Sequence, residues 1–138
     1  LRSAPTPGYS GTPLAKKLGF GDGVGVYVAG MPASVKAEIL SAAKPKFAAK
    51  PAKGQLAAHG FHTSRAKLEA ELKGLRKLIA TNGMVWVSWP KKAAKVDTDI
   101  TEDVIRTIAL PMGFVDVKVC AVDETWSGLK LVIRKSER

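Results

Sequence analysis

The sequence is poor in cysteine and in long apolar runs, and both shortages exclude classes of protein. Cys120 is the single cysteine, so an internal disulfide and a metal site built on several thiolates are excluded. No run approaches the roughly 18 consecutive apolar residues of a membrane-spanning helix. Residues 1–8 lack the charged and apolar blocks of a signal peptide. We therefore expect a cytoplasmic protein that does not bind membranes.

Acidic residues are also scarce, but only in the first two thirds of the chain. The net charge is +10. Residues 1–95 carry 16 Lys or Arg against four acids, whereas residues 96–138 carry six against eight. An excess of positive charge attracts polyanions at long range. This asymmetry makes nucleic acid one candidate partner, although no recognised nucleic-acid module accompanies it.

Residues 44–54 concentrate this positive charge in a stretch with two prolines and no acid. The composition predicts an exposed, flexible basic loop. Lysines spread in this way bind phosphate groups without reading base sequence, whereas the commoner role of such a run is a solvated loop. The candidates for nucleic-acid contact are Lys44, Lys46, Lys50 and Lys53.

Short apolar runs alternate with helical patterns along the chain. Strands are predicted at residues 24–29, 55–62 and 84–89, and helices at residues 13–19, 34–43, 64–79 and 99–110. We expect Pro13 at the first helical position after a Thr12 N-cap, a helix stop at residues 81–83, and an Asp99 capping box. Residues 115–121 and 129–134 alternate in polarity, which predicts a two-stranded hairpin.

Strands that alternate with helices indicate an α/β protein. The prediction is a Rossmann-like, three-layer domain with a mostly parallel sheet and a C-terminal antiparallel hairpin. We assign residues 1–19 to an N-terminal arm with a short helix, and residues 20–138 to the domain itself. Residues 84–92, Met-Val-Trp-Val-Ser-Trp-Pro-Lys-Lys, read as its central strand ending in a charged, proline-stopped loop, because near-continuous apolar character is typical of a strand covered on both faces.

Three segments carry a resemblance to a known family. Residues 8–19 (Gly-Tyr-Ser-Gly-Thr-Pro-Leu-Ala-Lys-Lys-Leu-Gly), residues 86–92 and residues 117–132 resemble a family of small bacterial proteins with an uncharacterised conserved domain. The helix, strand and hairpin order of the second half is similar to a class I S-adenosylmethionine-dependent methyltransferase in reduced form. That resemblance implies that the strand at residues 84–89 ends beside the turn that follows Val122.

The resemblance therefore implies a shared site made of the Trp-Pro-Lys-Lys end of the central strand and the hairpin turn. Indoles stack on planar ligands and lysines neutralise anions, so we predict binding of a small anionic ligand or of a protein partner. The alternative is that charged residues pair across the site and the indoles close the core. The candidates are Trp89, Lys91, Lys92, Asp123, Glu124, Trp126 and Ser127, with Gly30 after the first strand.

A methyl donor needs more than this chain offers. Donor sites of this kind use a glycine-rich turn after the first strand and an acid after the second. Only Gly30 follows the first strand, and residues 44–54 contain no acid. S-adenosylmethionine is therefore a disfavoured cofactor, methyl transfer is the alternative function, and no catalytic residue is predicted. His59 and His62 should point to opposite faces of a strand, so no metal site is predicted either.

Overall fold

The computed structural model describes residues 11–138, in which a six-stranded sheet carries two helices on each face. The helices are α1 (Leu14–Leu18), α2 (Ala33–Leu40), α3 (Arg65–Leu78) and α4 (Glu102–Ala109). The strands are β1 (Gly25–Ala29), β2 (Lys46–Ala48), β3 (Gln55–Phe61), β4 (Ile79–Pro90), β5 (Phe114–Ala121) and β6 (Trp126–Ile133). The predicted arm lies mostly at residues 1–10, outside the described residues.

The strand order is β2-β1-β3-β4-β6-β5. Neighbours among the first four strands are parallel, and β6 runs antiparallel to both β4 and β5. The hairpin therefore adds a single antiparallel strand, which is inserted between β4 and β5. This arrangement confirms the predicted α/β class with a mostly parallel sheet.

The two sheet faces have separate apolar cores because side chains alternate along each strand. The first face packs against α1 and α2 through Leu14, Leu18, Val35, Ile39, Val26, Ala57 and Trp86. The second face packs against α3 and α4 through Leu68, Leu72, Leu75, Ile105, Ile108, Val85 and Val87. β4 contributes buried side chains to both cores, so it is the central strand that the sequence predicted.

Trp86 joins α1 to the centre of the sheet. Its side chain is fully buried, and its indole Nε1 donates a 2.8 Å hydrogen bond to the carbonyl oxygen of Leu18 at the end of α1. A buried indole needs such an acceptor. Gly19 then adopts a left-handed backbone with φ of 78° and turns the chain away from the helix.

Several predicted element boundaries were wrong. The basic stretch is not simply a loop, because residues 46–48 form β2, which pairs with β1. Residues 81–83 continue β4 and do not end α3. Thr101, and not Asp99, caps α4 by accepting a hydrogen bond from the Val104 amide. Pro13 takes the N-cap position that was expected for Thr12.

One further boundary was also wrong. The helix predicted at residues 34–43 ends at Leu40, whose side chain is exposed and not part of the apolar face.

The 3-10 turns at Lys92–Ala94, Leu110–Met112 and Lys135–Glu137 complete the structure.

Candidate functional site

The parallel strands β1, β3 and β4 all end at one side of the sheet, which we call the carboxyl edge. Ligands of open α/β sheets bind outside this edge, where strands give way to loops. The side at which those strands begin is the amino edge. Because β6 is antiparallel, its first residue Trp126 also lies at the carboxyl edge, beside Pro90.

The structure brings the two predicted segments together. Trp89 pairs with Ser127 and Pro90 with Trp126 across the β4–β6 ladder. Beyond the ladder, the backbone amide of Lys91 donates a 2.8 Å hydrogen bond to the carbonyl oxygen of Thr125. The end of the central strand and the hairpin turn therefore form one continuous backbone surface.

The two tryptophans nevertheless face opposite sides of the sheet. Trp89 belongs to the core beneath α3 and α4. Trp126 packs with the other core and makes an edge-to-face contact with Phe61, with ring centroids 5.1 Å apart. Adjacent positions of a strand alternate between faces, so the two indoles cannot stack on one ligand. Sequence reasoning missed this because it placed the residues only at an edge.

The hairpin turn is held by one of the predicted site residues. The Oδ1 atom of Asp123 accepts 2.8 Å hydrogen bonds from the amides of Thr125 and Trp126. An aspartate that accepts from its own backbone in this way stabilises a tight turn. Glu124 is exposed at the tip of the turn. The carboxylate of Asp123 is thus occupied by the fold.

A groove of about 530 Å³ opens on the second face at the carboxyl edge. Four predicted residues, Trp89, Lys91, Lys92 and Ser127, line it. The other lining residues are Pro90, Val96, Thr98, Ile100, Thr101 and Glu102. Its volume is in the range of small-molecule sites. The site predicted from the sequence is therefore divided, and this groove contains half of its members.

Charge in the groove is dominated by its two lysines. Among residues 11–138, no acidic side chain forms an ion pair with Lys91 or Lys92. Glu102 is engaged by the guanidinium of Arg106, and Asp99 accepts a 2.7 Å hydrogen bond from the Arg65 amide. Glu102 and Asp99 are thus engaged by other groups, which leaves the two ammonium groups available to an anion.

Gly30 has a structural explanation. Its φ is 67°, and a Cβ added there would lie 3.0 Å from the carbonyl oxygen of Phe61. The turn after β1 is therefore packed directly against the end of β3. No acid follows β2 before residue 55. These residues do not fit the methionine and ribose groups of a methyl donor, because neither the glycine-rich cradle nor the ribose acid is present.

Another polar cluster lies at the carboxyl ends of β1 and β3, and the sequence did not reveal it. The hydroxyl of Tyr27 donates a 2.8 Å hydrogen bond to Glu71 Oε2, and Nε2 of His62 lies 2.6 Å from Glu71 Oε1. Burial and then the Glu71 carboxylate raise the pKa of Tyr27 to about 12. Glu71 sits over Gly60, where any Cβ would collide with its Oε1 atom. The glycine inside a strand was the one available signal.

His59 lies on the opposite face from His62, as predicted. It is fully buried, its Nε2 atom is 2.7 Å from Ser88 Oγ, and Nδ1 has no hydrogen-bond partner among the described residues. Burial lowers the pKa of His59 to about 3.

Cys120 is partly buried, and burial raises the pKa of its thiol. Residues 11–138 contain no cluster of metal-ligating side chains.

Comparisons with known proteins identify the fold. No protein-family model and no curated protein sequence matches the chain. Among solved structures, a candidate type 11 methyltransferase from Sulfolobus solfataricus is 12% identical, with a TM-score of 0.57 over 83% of this chain and 87% of its own. DhpI, solved as a complex with SAH, is 13% identical, with a TM-score of 0.56 over 89% and 84%.

A fibrillarin gives a similar match. The Aeropyrum pernix fibrillarin, solved with natively bound S-adenosyl-L-methionine, is 11% identical, with a TM-score of 0.52 over 91% of this chain and 70% of its own. The chain therefore has the fold of class I S-adenosylmethionine-dependent methyltransferases, in reduced form. Identities this low establish the fold alone.

No helix among the described residues is long and apolar enough to cross a membrane.

Proposed function

We propose that the protein binds a small anionic ligand, without catalysis, in the groove beside Lys91 and Lys92. One observation carries the proposal. Lys91 and Lys92 line a groove of about 530 Å³, and neither ammonium group has an acidic partner among residues 11–138. An ammonium group is a compact charge that attracts carboxylate and phosphate oxygens. The methyltransferase fold supplies the scaffold, and the groove supplies the binding surface.

The groove favours an anion that also carries an apolar part. Trp89, Pro90, Val96 and Ile100 provide apolar lining next to the lysines. Burial of apolar ligand surface contributes about 25 cal/mol per Å², and this term adds to the attraction of the charges. An aryl phosphate or aryl carboxylate combines both features. A carboxylate side chain of a protein partner would use the same lysines.

The polar groups of the groove support a binding role more than a chemical one. The Thr98 hydroxyl donates to the carbonyl oxygen of Thr63 at 2.8 Å, and the Thr101 hydroxyl accepts from the Val104 amide at 3.2 Å. Among residues 11–138, neither hydroxyl is paired with a general base, as a nucleophile requires. Both instead hold the loop and the start of α4 in place.

Calorimetric titration with phenyl phosphate, inorganic phosphate and benzyl alcohol tests the proposal. Phenyl phosphate should bind best, because only it offers both charge and apolar surface. Replacement of both lysines, Lys91→Gln with Lys92→Gln, should weaken this binding about tenfold or more, which corresponds to about 1.4 kcal/mol. The matched control is Lys95→Gln, an exposed lysine of the same loop that does not line the groove.

Equal affinity of the control and the double variant would refute the groove as the binding site. Unchanged thermal unfolding of the double variant separates a binding defect from a folding defect. A peptide rich in glutamate, titrated in parallel, distinguishes a protein partner from a free ligand.

Methyl transfer is the second candidate function, and the fold matches favour it. The S. solfataricus methyltransferase and the fibrillarin solved with S-adenosyl-L-methionine share the fold of this chain. Equilibrium titration with S-adenosylmethionine decides between the two functions. Micromolar binding would demonstrate a working donor site despite the packed turn at Gly30, and the non-catalytic proposal would then be wrong.

A further inference from the structure

Positive charge gathers at the amino edge of the sheet, opposite the groove. Lys46 opens β2 and pairs with Gly25 at the start of β1. Lys44 precedes it, and Lys53 lies in the turn that leads to β3. The amide of Gly54 donates a 2.7 Å hydrogen bond to the carbonyl oxygen of Leu78, which places Lys53 beside Lys77 at the end of α3. We call these four exposed lysines the basic edge.

Backbone and side-chain hydrogen bonds fix the basic edge in place. The Asp22 carboxylate accepts a 2.7 Å hydrogen bond from the Lys44 amide. The amide of Ala52 donates to the side-chain carbonyl of Gln55 at 3.0 Å, and the amide group of the same side chain donates to the Gly25 carbonyl oxygen at 3.1 Å. The lysines therefore project from a defined frame, which reduces the entropy that a partner must remove on binding.

The basic edge is poorly neutralised. None of its four ammonium groups forms an ion pair with the residues at positions 11–138. Asp22 is the one acid in the adjoining turns, and Lys135 extends the charge along the same edge after β6. Glu137, the acid of that C-terminal turn, is bound by Arg76 and Arg134. The edge thus presents a net positive charge to solvent.

We infer that the basic edge binds the phosphate backbone of duplex nucleic acid without reading its sequence. Neighbouring strands are about 4.8 Å apart, so the four lysines, which run from β2 to the start of β4, span roughly 14 Å. One strand of B-DNA carries a charge every 3.4 Å or so of axis, so this length of axis corresponds to about four phosphates. The spacing of the lysines therefore suits a polyanion better than a single small anion.

The surface favours a duplex over a single strand or a membrane. Single-strand binding depends on exposed aromatic side chains on which bases stack, and none of the aromatic residues at positions 11–138 is exposed. Phe47, the aromatic residue of β2, is partly buried with the Lys36 ammonium 5.6 Å from its ring. Stable attachment to a lipid surface requires an apolar face besides charge. The basic edge consists of lysines on turns and strand ends, which suits phosphate contact alone.

Salt-dependent binding of a 20-base-pair DNA duplex, followed by fluorescence anisotropy, tests this inference. Four phosphate contacts give a slope of about −3.6 in log affinity against log salt, so affinity should fall roughly 150-fold between about 50 and 200 mM salt. The Lys46→Gln, Lys53→Gln variant should reduce the magnitude of that slope by about 1.8.

A control variant that loses the same amount of charge separates the effect of the basic edge from the effect of net charge. Lys67→Gln with Lys95→Gln removes two exposed lysines that lie away from the amino edge, one in the first turn of α3 and one in the loop after β4. The control should keep the parent slope. An equal reduction of the salt slope in both variants would refute the basic edge as the binding surface. Failure of the protein to bind the duplex at low salt would refute it as well.

Two further ligands complete the test. Single-stranded DNA of the same length should bind more weakly, and phosphatidylserine vesicles should bind more weakly still. Tighter binding of either ligand than of the duplex would overturn the inference. The groove variants at Lys91 and Lys92 should leave duplex binding intact, so this result is independent of the proposed ligand site.

Discussion

Two glycine-to-alanine substitutions, Gly60→Ala and Gly74→Ala, should change stability in opposite directions. A Cβ at Gly60 would collide with Glu71 Oε1 and lie 2.8 Å from His62 Nε2. The φ of Gly60 lies outside the left-handed region, so alanine fits the backbone and only the contact is at issue. A Cβ at Gly74 in α3 meets no atom within 4 Å.

The magnitude follows from the hydrogen bonds that the collision removes. To accommodate a Cβ at Gly60, the Glu71 carboxylate must leave Tyr27 and His62, which it holds at 2.8 and 2.6 Å. Hydrogen bonds to charged groups contribute about 1.5–3 kcal/mol when buried, and partial exposure reduces each to about 1 kcal/mol. Alanine also reduces the conformational entropy of the unfolded chain, which offsets about 0.4–1 kcal/mol of this loss of stability. Gly60→Ala should thus cost about 1–2 kcal/mol.

Gly74→Ala should stabilise the protein by about 0.5–1 kcal/mol, because alanine is the better helix former. Urea unfolding measures both variants, and their midpoints should move to opposite sides of the parent. Absorbance titration of tyrosinate gives a second reading, since the pKa of Tyr27 should fall from about 12 when Glu71 moves away. A Gly60→Ala midpoint equal to that of Gly74→Ala would refute the described contact.

Three other predictions concern buried and partly buried groups. The folded-state pKa of Tyr27 is raised from 10.0 to about 12. Its contribution to stability is therefore complete below pH 10 and is lost as pH rises towards 12. In urea unfolding, Tyr27→Phe should reduce this loss of stability at high pH. The pKa of His59 is lowered from 6.5 to about 3, so stability should fall as pH drops below 6.5, and its imidazole NMR signals should stay constant from about pH 8 to about pH 5. Trp86→Phe leaves the Leu18 carbonyl without its donor and should cost about 1–3 kcal/mol in urea unfolding, whereas Trp126→Phe should cost less.

The sequence predicted the central elements because their signals are local. The apolar run of β4 and the spacing of Leu68, Leu72 and Leu75 in α3 reflect burial that is visible in the residues themselves. The resemblance to the methyltransferase fold implied that the central strand ends beside the hairpin turn, and the β4–β6 pairing confirms it. β2 was missed because a three-residue edge strand rich in lysine has no apolar alternation to reveal it.

The site was predicted less completely than the fold. Lys91 and Lys92 were found from their position after a buried strand, and the groove contains both. The opposite orientation of Trp89 and Trp126 depends on the register of β4 with β6, which residue patterns do not specify across a long connection. The contacts of Glu71 with Tyr27 and His62 join residues up to 44 positions apart, so the one local signal, Gly60 inside a strand, marks a close approach without identifying its partners.

The position of β6 has a consequence for how the chain matures. β6 is synthesised after both β4 and β5, yet it lies between them in the sheet. Until residues 126–133 emerge from the ribosome, β4 has an unpaired edge along Val85, Trp86 and Val87, and an exposed apolar edge invites pairing with other chains. A nascent chain that still lacks β6 is therefore the aggregation-prone form of this protein, and the sheet closes only after residues 126–133 have been synthesised.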